Sequence, residues 1–340
     1  MKVLVIGGSR FVGRHIVEKL IEAGIEVTVF NRGVSRSGVF PGTETIIGDR
    51  NNAHDLQQLQ GRTWDAVVDT CGYFPHSVAR TADLLKGQTE HYLFISTCSV
   101  YKDWIYKEYI DETSELVALN PEEAKIWLAG QGEESRGREL YGELKVLCEA
   151  EIDKRSFPLV THIRPCVIAG PYDPTDRFTY WVERIAEGGT ILAPLPKEGR
   201  LQVIDARDLA EWTVQLITNK TAGTFNASGP QSPFTMEEFL QECADALHTS
   251  PTFIWKNEEF LSSHNVSPWS DMPFWIPGAK SAISNAKAMQ NGLVLRNIRE
   301  TVRDTHVWAS EEWKKRPHAA GLSREREEAL ISKGEQHDEI

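Results

Sequence analysis

Over the first 95 residues, short runs of β-branched and apolar residues alternate with stretches whose apolar positions recur every three to four residues. Residues 2–6 read as a strand, and Val12, Ile16, Leu20 and Ala23 share one face of a helix over 12–23. Gly24 ends that helix, and 26–30 reads as a second strand. The pattern predicts further strands at 45–47, 66–69 and 92–95, separated by helices around 52–60 and 76–86. The rhythm resumes with a helix near 138–154, a strand at 159–163, a helix at 208–217 and a strand at 223–226. Strands alternating with helices imply right-handed crossovers and a parallel, doubly wound α/β sheet. Ligands on such sheets sit beyond the carboxyl ends of the strands, so the residues after each strand are where chemistry is expected.

Three stretches break the rhythm: 102–136, 171–200 and nearly everything after 230. They are rich in Trp, Pro and Phe, with Pro268, Trp269, Pro273, Phe274, Trp275 and Pro277 crowded into one short run. This predicts a dinucleotide-binding domain from residues 1–170 plus 201–230, and a smaller, discontinuous substrate domain from 171–200 plus 231–340. A charged helix over about 323–333 closes the chain, and 336–340 is expected to fray.

Composition narrows the class. The 340 residues are 41% hydrophobic and 25% charged, an ordinary globular balance. No apolar run approaches the roughly 20 residues that span a bilayer, so no membrane partner is expected. Five widely spaced cysteines without a C-x-x-C pair fit free thiols in a reducing, cytoplasmic setting. No His/Cys cluster has metal-ligand spacing, and no metal is expected. A net charge of −12 argues against a nucleic-acid partner.

Gly7, Gly8, Ser9, Arg10, Phe11, Val12 and Gly13 follow the first strand directly and open the first helix. A pyrophosphate at a helix N-terminus meets unpaired N–H groups and the positive end of the dipole, and glycines let the backbone come close. Nucleotide binding on a Rossmann-type sheet follows from that context. Further along, Tyr141 and Lys145 stand at i and i+4, on one helix face. A free phenol has a pKa of about 10, too high for efficient proton transfer at neutral pH, and a neighbouring ammonium lowers it.

These segments resemble the extended, atypical short-chain dehydrogenases/reductases, the NAD-dependent epimerase/dehydratase family, over residues 1 to about 230. Gly7 and Gly13 match the outer glycines of the family's Gly-x-x-Gly-x-x-Gly loop, with Arg10 in place of the middle one. Ser96-Thr97-Cys98-Ser99-Val100-Tyr101 is similar to the family's Ser-Thr/Ser-x-x-Val-Tyr segment, which puts Thr97 at the catalytic hydroxyl. Ile163 to Pro171 is similar to its Arg-Pro segment, with Ala169 where the family has tyrosine. The resemblance implies that Tyr141 exchanges a proton with a substrate hydroxyl or carbonyl, that Thr97 hydrogen-bonds the reacting oxygen, and that Lys145 holds the nicotinamide ribose. It also implies that Asp49, in the Gly48-Asp49 turn, contacts the adenine.

The expected activity is alcohol–carbonyl oxidoreduction with a nicotinamide dinucleotide on a small-molecule substrate, by a monomer or homodimer. NADP is favoured over NAD, because the second strand ends in Asn31-Arg32 and not in an acid that would repel a 2′-phosphate. Arg32 and Arg10 offer planar donor forks to that phosphate. A nucleotide-sugar epimerase is the alternative, although the arginine that grips a diphosphate is displaced: the equivalent stretch is Leu201-Gln202-Val203, with Arg200 and Arg207 nearby. Cys98 and Ser99 stand where dehydratase relatives carry an acidic pair, which disfavours dehydration. The loop also resembles chloroplast stem-loop-binding proteins, giving an RNA-binding alternative that the negative charge opposes. The stretch 120–132 is a candidate lid, and Trp104, Tyr106, Trp181 and Trp275 are candidate pocket aromatics.

Overall fold

The computed structural model describes residues 1–34 and 40–337; the last three residues of the stretch expected to fray lie outside it. Strand β1 (Lys2–Ile6) leads into α1 (Phe11–Glu22), which buries Val12, Ile16, Val17 and Leu20. Then come β2 (Glu26–Asn31), β3 (Glu44–Ile47), α2 (Ala53–Leu56), β4 (Trp64–Asp69), α3 (Pro75–Leu85) and β5 (Thr89–Ile95). The helix expected over 52–60 is a single α turn followed by a 3-10 turn, since only Leu56 and Leu59 bury there. A long connection holding α4 (Pro121–Leu128) precedes α5 (Tyr141–Asp153) and β6 (Leu159–Pro165). The chain continues through β7 (Val167–Ala169), α6 (Arg177–Glu187), β8 (Thr190–Pro194), β9 (Arg200–Leu201), β10 (Val203–Asp205), α7 (Ala206–Thr218) and β11 (Gly223–Ala227). It ends with β12 (Phe234–Thr235), α8 (Met236–Leu247), β13 (Thr252–Lys256), α9 (Glu258–Ser263), α10 (Ala286–Gln290), α11 (Ile298–Glu312) and α12 (Arg324–His337).

Seven strands form one parallel sheet in the order β11-β6-β5-β4-β1-β2-β3, a Rossmann-type α/β fold. The chain runs outward from β1 to β3 and then restarts at β4 on β1's other side. That reversal opens a crevice beyond the carboxyl ends of β1 and β4. One face of the sheet packs against α1 and α7, the other against α3 and α5. A further apolar core joins α6 and β8 to α8 and the aromatic run near 270.

The stretch 171–200, read as a break in the rhythm, holds α6 as a full helix. Phe178, Trp181, Val182 and Ile185 recur at i, i+3, i+4 and i+7 along it, and the polar Thr179, Glu183 and Arg184 are buried as well. Trp181 and Trp275 are 0% and 4% exposed in this core, with Trp181 Nε1 donating to Pro273 O at 2.9 Å. Both are packed into this core. Among the described residues no helix is long and apolar enough to cross a membrane.

Candidate functional site

The glycine loop is shaped by close backbone approach. Gly7 and Gly8 have φ of +102° and +77°, values that side chains disfavour. A Cβ on Gly7 would lie 2.4 Å from Thr70 Oγ1, and one on Gly13 would lie 2.8 Å from Gly8 N and 2.9 Å from Thr70 Oγ1. Thr70, after β4, is fixed by donating to Ile6 O at 2.9 Å, so it braces the loop from below. Arg10 precedes α1 without a side-chain cap, and the first turn carries no acid. The first N–H groups of α1 are therefore open to an anion, and the cradle fits a dinucleotide pyrophosphate. Ser9 and Phe11 are half-buried, Val12 is buried and Arg10 is exposed.

Beyond β2 the adenosine-side residues come together. Asn31 O accepts from Gly48 N at 2.9 Å, which sets the Gly48-Asp49 turn beside the end of β2. Asn31 Oδ1 accepts from Gly33 N at 2.8 Å, leaving its amide N–H groups as donors. Asp49 uses Oδ1 to accept from Asn51 N at 2.8 Å. Arg32 is exposed.

Thr97, Tyr141 and Lys145 converge at the carboxyl end of β5. Tyr141 is the first residue of α5, and Thr97 is close enough to act on its phenol. Thr97 Oγ1 also accepts from Ser99 N at 3.2 Å. Burial, then the neighbouring Tyr73, pushes the Tyr141 phenol above its ordinary pKa, while Thr97 acts the other way. One turn on, Lys145 is 2% exposed and donates to Ile95 O at 2.6 Å and Gly72 O at 3.0 Å, with its ammonium 4.1 Å over the Phe94 ring. Burial pulls the lysine below its ordinary value. A turn further, Glu149 pairs with Arg164 on β6 at 3.0 and 2.6 Å. Arg164 also donates to Tyr101 Oη at 3.0 Å, fixing α5 against the strands.

Sequence reasoning missed several residues here. Gly142 brings α5 so close to the Thr97–Ser99 turn that a Cβ would lie 2.1 Å from Ser99 O. Its signal was a glycine in the first turn of a helix, where it has no propensity reason to be. Arg50 reaches across to Asp69 at 2.8 and 2.9 Å, and Tyr92 donates to the same carboxylate at 2.9 Å. Burial opposes ionisation of Asp69, but the Arg50 charge holds the carboxyl below its ordinary range. Tyr73 has an exposed ring, 5.7 Å from the Lys145 ammonium, and interacts electrostatically with Arg10. Its phenol also acts electrostatically on Tyr141.

On the substrate side, Arg207 is tied to Asp205 at 2.8 Å and to Asp304, and Arg200 donates to Lys280 O at 2.9 Å. Arg207 is thus a structural cation. The 120–132 stretch holds α4, and Trp127 stacks on Phe74 with centroids 5.9 Å apart. Trp104 is half-buried and Tyr106 is 60% exposed. Among the described residues no group of three or more His, Cys, Asp or Glu is arranged to hold a metal.

Residues 3–228 match the family model described as NAD dependent epimerase/dehydratase family. The chain is 27% identical over 265 residues to the chloroplast stem-loop binding protein of 41 kDa b of Arabidopsis thaliana, covering 72% of this chain and 63% of that one. It is 29% identical over 196 residues to a 3-beta-hydroxysteroid dehydrogenase of Mycolicibacterium neoaurum, covering 51% and 49%. The chain thus spans about half to three-fifths of the length of these curated relatives. Among solved structures, the UDP-glucose 4-epimerase of Thermus thermophilus in complex with NAD shares the fold, with a TM-score of 0.60 and 19% identity over 92% of this chain and 100% of the other.

Proposed function

Since this chain belongs to the NAD dependent epimerase/dehydratase family, we propose that it is an oxidoreductase that transfers hydride at an alcohol or carbonyl carbon, with Tyr141 carrying the proton. The observation that carries this reading is the Tyr141 phenol beside the Thr97 hydroxyl, one turn from the buried Lys145. The nicotinamide, when bound, supplies or takes the hydride. Thr97 orients the reacting oxygen, Tyr141 exchanges its proton, and the Lys145 charge favours the phenolate that burial disfavours. Two of the lysine's three N–H groups are committed to Ile95 O and Gly72 O, leaving the third for the ribose.

Tyr141→Phe is expected to abolish nearly all turnover while dinucleotide affinity stays within about twofold of wild type. Lys145→Met should harm both. Retention of more than about a tenth of kcat by Tyr141→Phe, only about 1.4 kcal/mol of barrier, would overturn the role. Epimerisation of a nucleotide-sugar is the second reading, favoured by the epimerase structural relative. Purification with the dinucleotide still bound, recycled within each turnover, would support it.

The cofactor we propose is NADP(H). Asn31 offers donors without repelling a phosphate, and among the described residues neither Arg10 nor Arg32 is paired to a carboxylate. Arg32→Ala is expected to weaken NADPH about tenfold and barely affect NADH, through loss of a charge-assisted bond. Equal or tighter NADH binding by the unmodified protein, read by tryptophan fluorescence, would overturn the preference. The stem-loop-binding relative makes RNA the contrasting partner. Filter binding across a salt series should show no affinity, in line with the −12 charge.

A further inference from the structure

Asp69 closes β4 at the centre of the sheet, in register with Ile6 on β1 and with Phe94 on β5. Its side chain is wholly buried, and both oxygens are taken up. Arg50 donates to them at 2.8 and 2.9 Å, Tyr92 Oη at 2.9 Å and Cys71 N at 3.2 Å. Arg50 directly follows Asp49 and also donates to Thr81 Oγ1 on α3 at 3.2 Å. One guanidinium thus ties the Gly48-Asp49 turn to the end of β4. Burying such a pair often gains little over apolar packing of the same volume, so stability alone does not account for it.

The turn after β4 brings this carboxylate to Lys145. Gly72 O accepts from the Lys145 ammonium at 3.0 Å, and that ammonium lies 4.1 Å over the Phe94 ring. A Cβ at Gly72 would lie 2.6 Å from Phe94 Cε2 and 3.3 Å from Asp69 Oδ2. Gly72, Phe94 and the Asp69 carboxylate therefore pack together beside the lysine. Lys145 is 2% exposed, and an ammonium so deeply buried sheds its proton unless an anion stands near. Burial is the largest influence on it and pulls it down, while Cys148, Asp69, Glu149 and Cys71 act the other way, in that order. Burial pushes the Cys148 thiol up to about 12 and raises the Cys71 thiol as well, so neither carries charge at neutral pH. The Tyr73 and Tyr141 phenols are raised by burial too. Glu149 turns both oxygens to Arg164 on β6, at 3.0 and 2.6 Å. Asp69 is thus the charged group that acts most strongly in the lysine's favour. Arg50 reaches Asp69 from the β3 side of the sheet and Lys145 stands on the β5 side, at Ile95 O, so the pair turns its negative end to the lysine.

We propose that Asp69, locked by Arg50, is a positioning residue for Lys145: its carboxylate is the buried counter-ion that keeps the ammonium charged, and the turn from Asp69 to Gly72 seats it. The inference rests on the oxidoreductase reading for what Lys145 does to cofactor and phenol, and goes beyond it by naming what holds the lysine ready. Asp69 acts on the reaction through the lysine. The test follows that lysine directly. The full chain is labelled with carbon-13 at lysine Cε, and the Lys145 resonance is identified as the one absent from Lys145→Met. Its chemical shift is then followed from pH 6 to 11 without dinucleotide.

Wild-type Lys145 is expected to stay charged through neutral pH. Asp69→Asn should bring its midpoint down by about one pH unit or more, the effect of losing an opposite charge at close range. Asp69→Glu, which restores the charge, should recover part of that shift. A merely structural role would loosen the fold and leave the midpoint in place. NADPH titrations by tryptophan fluorescence over the same pH range give a second reading: affinity should fall off at lower pH in Asp69→Asn than in wild type. An unmoved midpoint in folded Asp69→Asn overturns the proposal, as does a wild-type lysine already neutral at pH 7. Should Asp69→Asn fail to fold by circular dichroism, the double variant Arg50→Gln/Asp69→Asn, which replaces the ion pair by two amides, takes its place in the same comparison. A chain that binds no dinucleotide brings down the oxidoreductase reading, while the Lys145 midpoints still decide the role of Asp69.

Discussion

His91 sits inside β5 at 2% exposure, with Nε2 2.7 Å from Thr161 Oγ1 and no partner for Nδ1. Burial pulls its pKa from 6.5 down to about 4. Between those values the unfolded chain holds a proton that the folded chain does not, so this residue's contribution to stability falls as pH drops from 6.5 to 4, by about 3 kcal/mol. Asp173 works in the opposite sense. Burial raises its carboxyl from 3.8 to about 6, so the folded chain holds the extra proton, and stability is lost as pH rises through that window, again by about 3 kcal/mol. Asp173→Asn is therefore expected to stabilise the protein at pH 7 by about 2–3 kcal/mol and to lose that advantage near pH 4. His91→Asn should flatten the loss between pH 6.5 and 4. Urea unfolding at pH 4, 5.5 and 7 checks both. An Asp173→Asn protein less stable than wild type at pH 7 would show that the buried carboxylate is compensated.

A helix can be held at a working distance by the absence of one methyl group, as α5 is at Gly142. Alanine there would place a carbon against Ser99 O, so α5 must retreat and carry Tyr141 away from Thr97. A displacement of about 1 Å at a reacting group costs on the order of 100-fold in rate, so Gly142→Ala is expected to lose about that much in kcat. Alanine otherwise favours a helix interior by about 1 kcal/mol. A variant that is stabilised and fully active would show that the close approach is not required. Gly13→Val should abolish dinucleotide binding through the clash with Gly8 N and Thr70, and intact affinity in a folded variant would make the loop structural only. The glycine loop and the Tyr141–Lys145 pair were legible because each leaves a short local signature, glycines between strand and helix or a phenol and an ammonium four apart, whereas Gly142 was not. The strands of the central sheet were legible because each is a compact apolar run bounded by a turn. Arg50 and Asp69 were not, because their pairing joins positions 19 residues apart and neither residue looks unusual alone. Helix α6 did carry a signal, the helical spacing of Phe178, Trp181, Val182 and Ile185, inside a stretch set apart by its Trp, Pro and Phe content, and Trp181 and Trp275 pack as core, the commoner reading of such residues.

Across the whole molecule, α12 closes the second core by inserting a charge. Glu327 is 1% exposed, accepts from Arg184 Nε at 2.6 Å and from Leu192 N at 3.0 Å, and also meets Arg324. Glu327→Ala would leave Arg184 buried without its partner, and a loss of about 3–5 kcal/mol in unfolding free energy is expected. Dinucleotide affinity should be unchanged, because Glu327 and the glycine loop belong to different parts of the fold. Denaturant unfolding and a parallel NADPH titration measure the two together, and a loss below about 1 kcal/mol would contradict the buried pairing. The reverse holds for α1. It presents its N-terminus to the pyrophosphate, and through Arg14 and His15 it steadies Pro171 and Tyr172 on the way to Arg177. One helix thus serves the glycine loop at its first turn and the 171–172 segment at its second, so a substitution that shifts α1 disturbs both together.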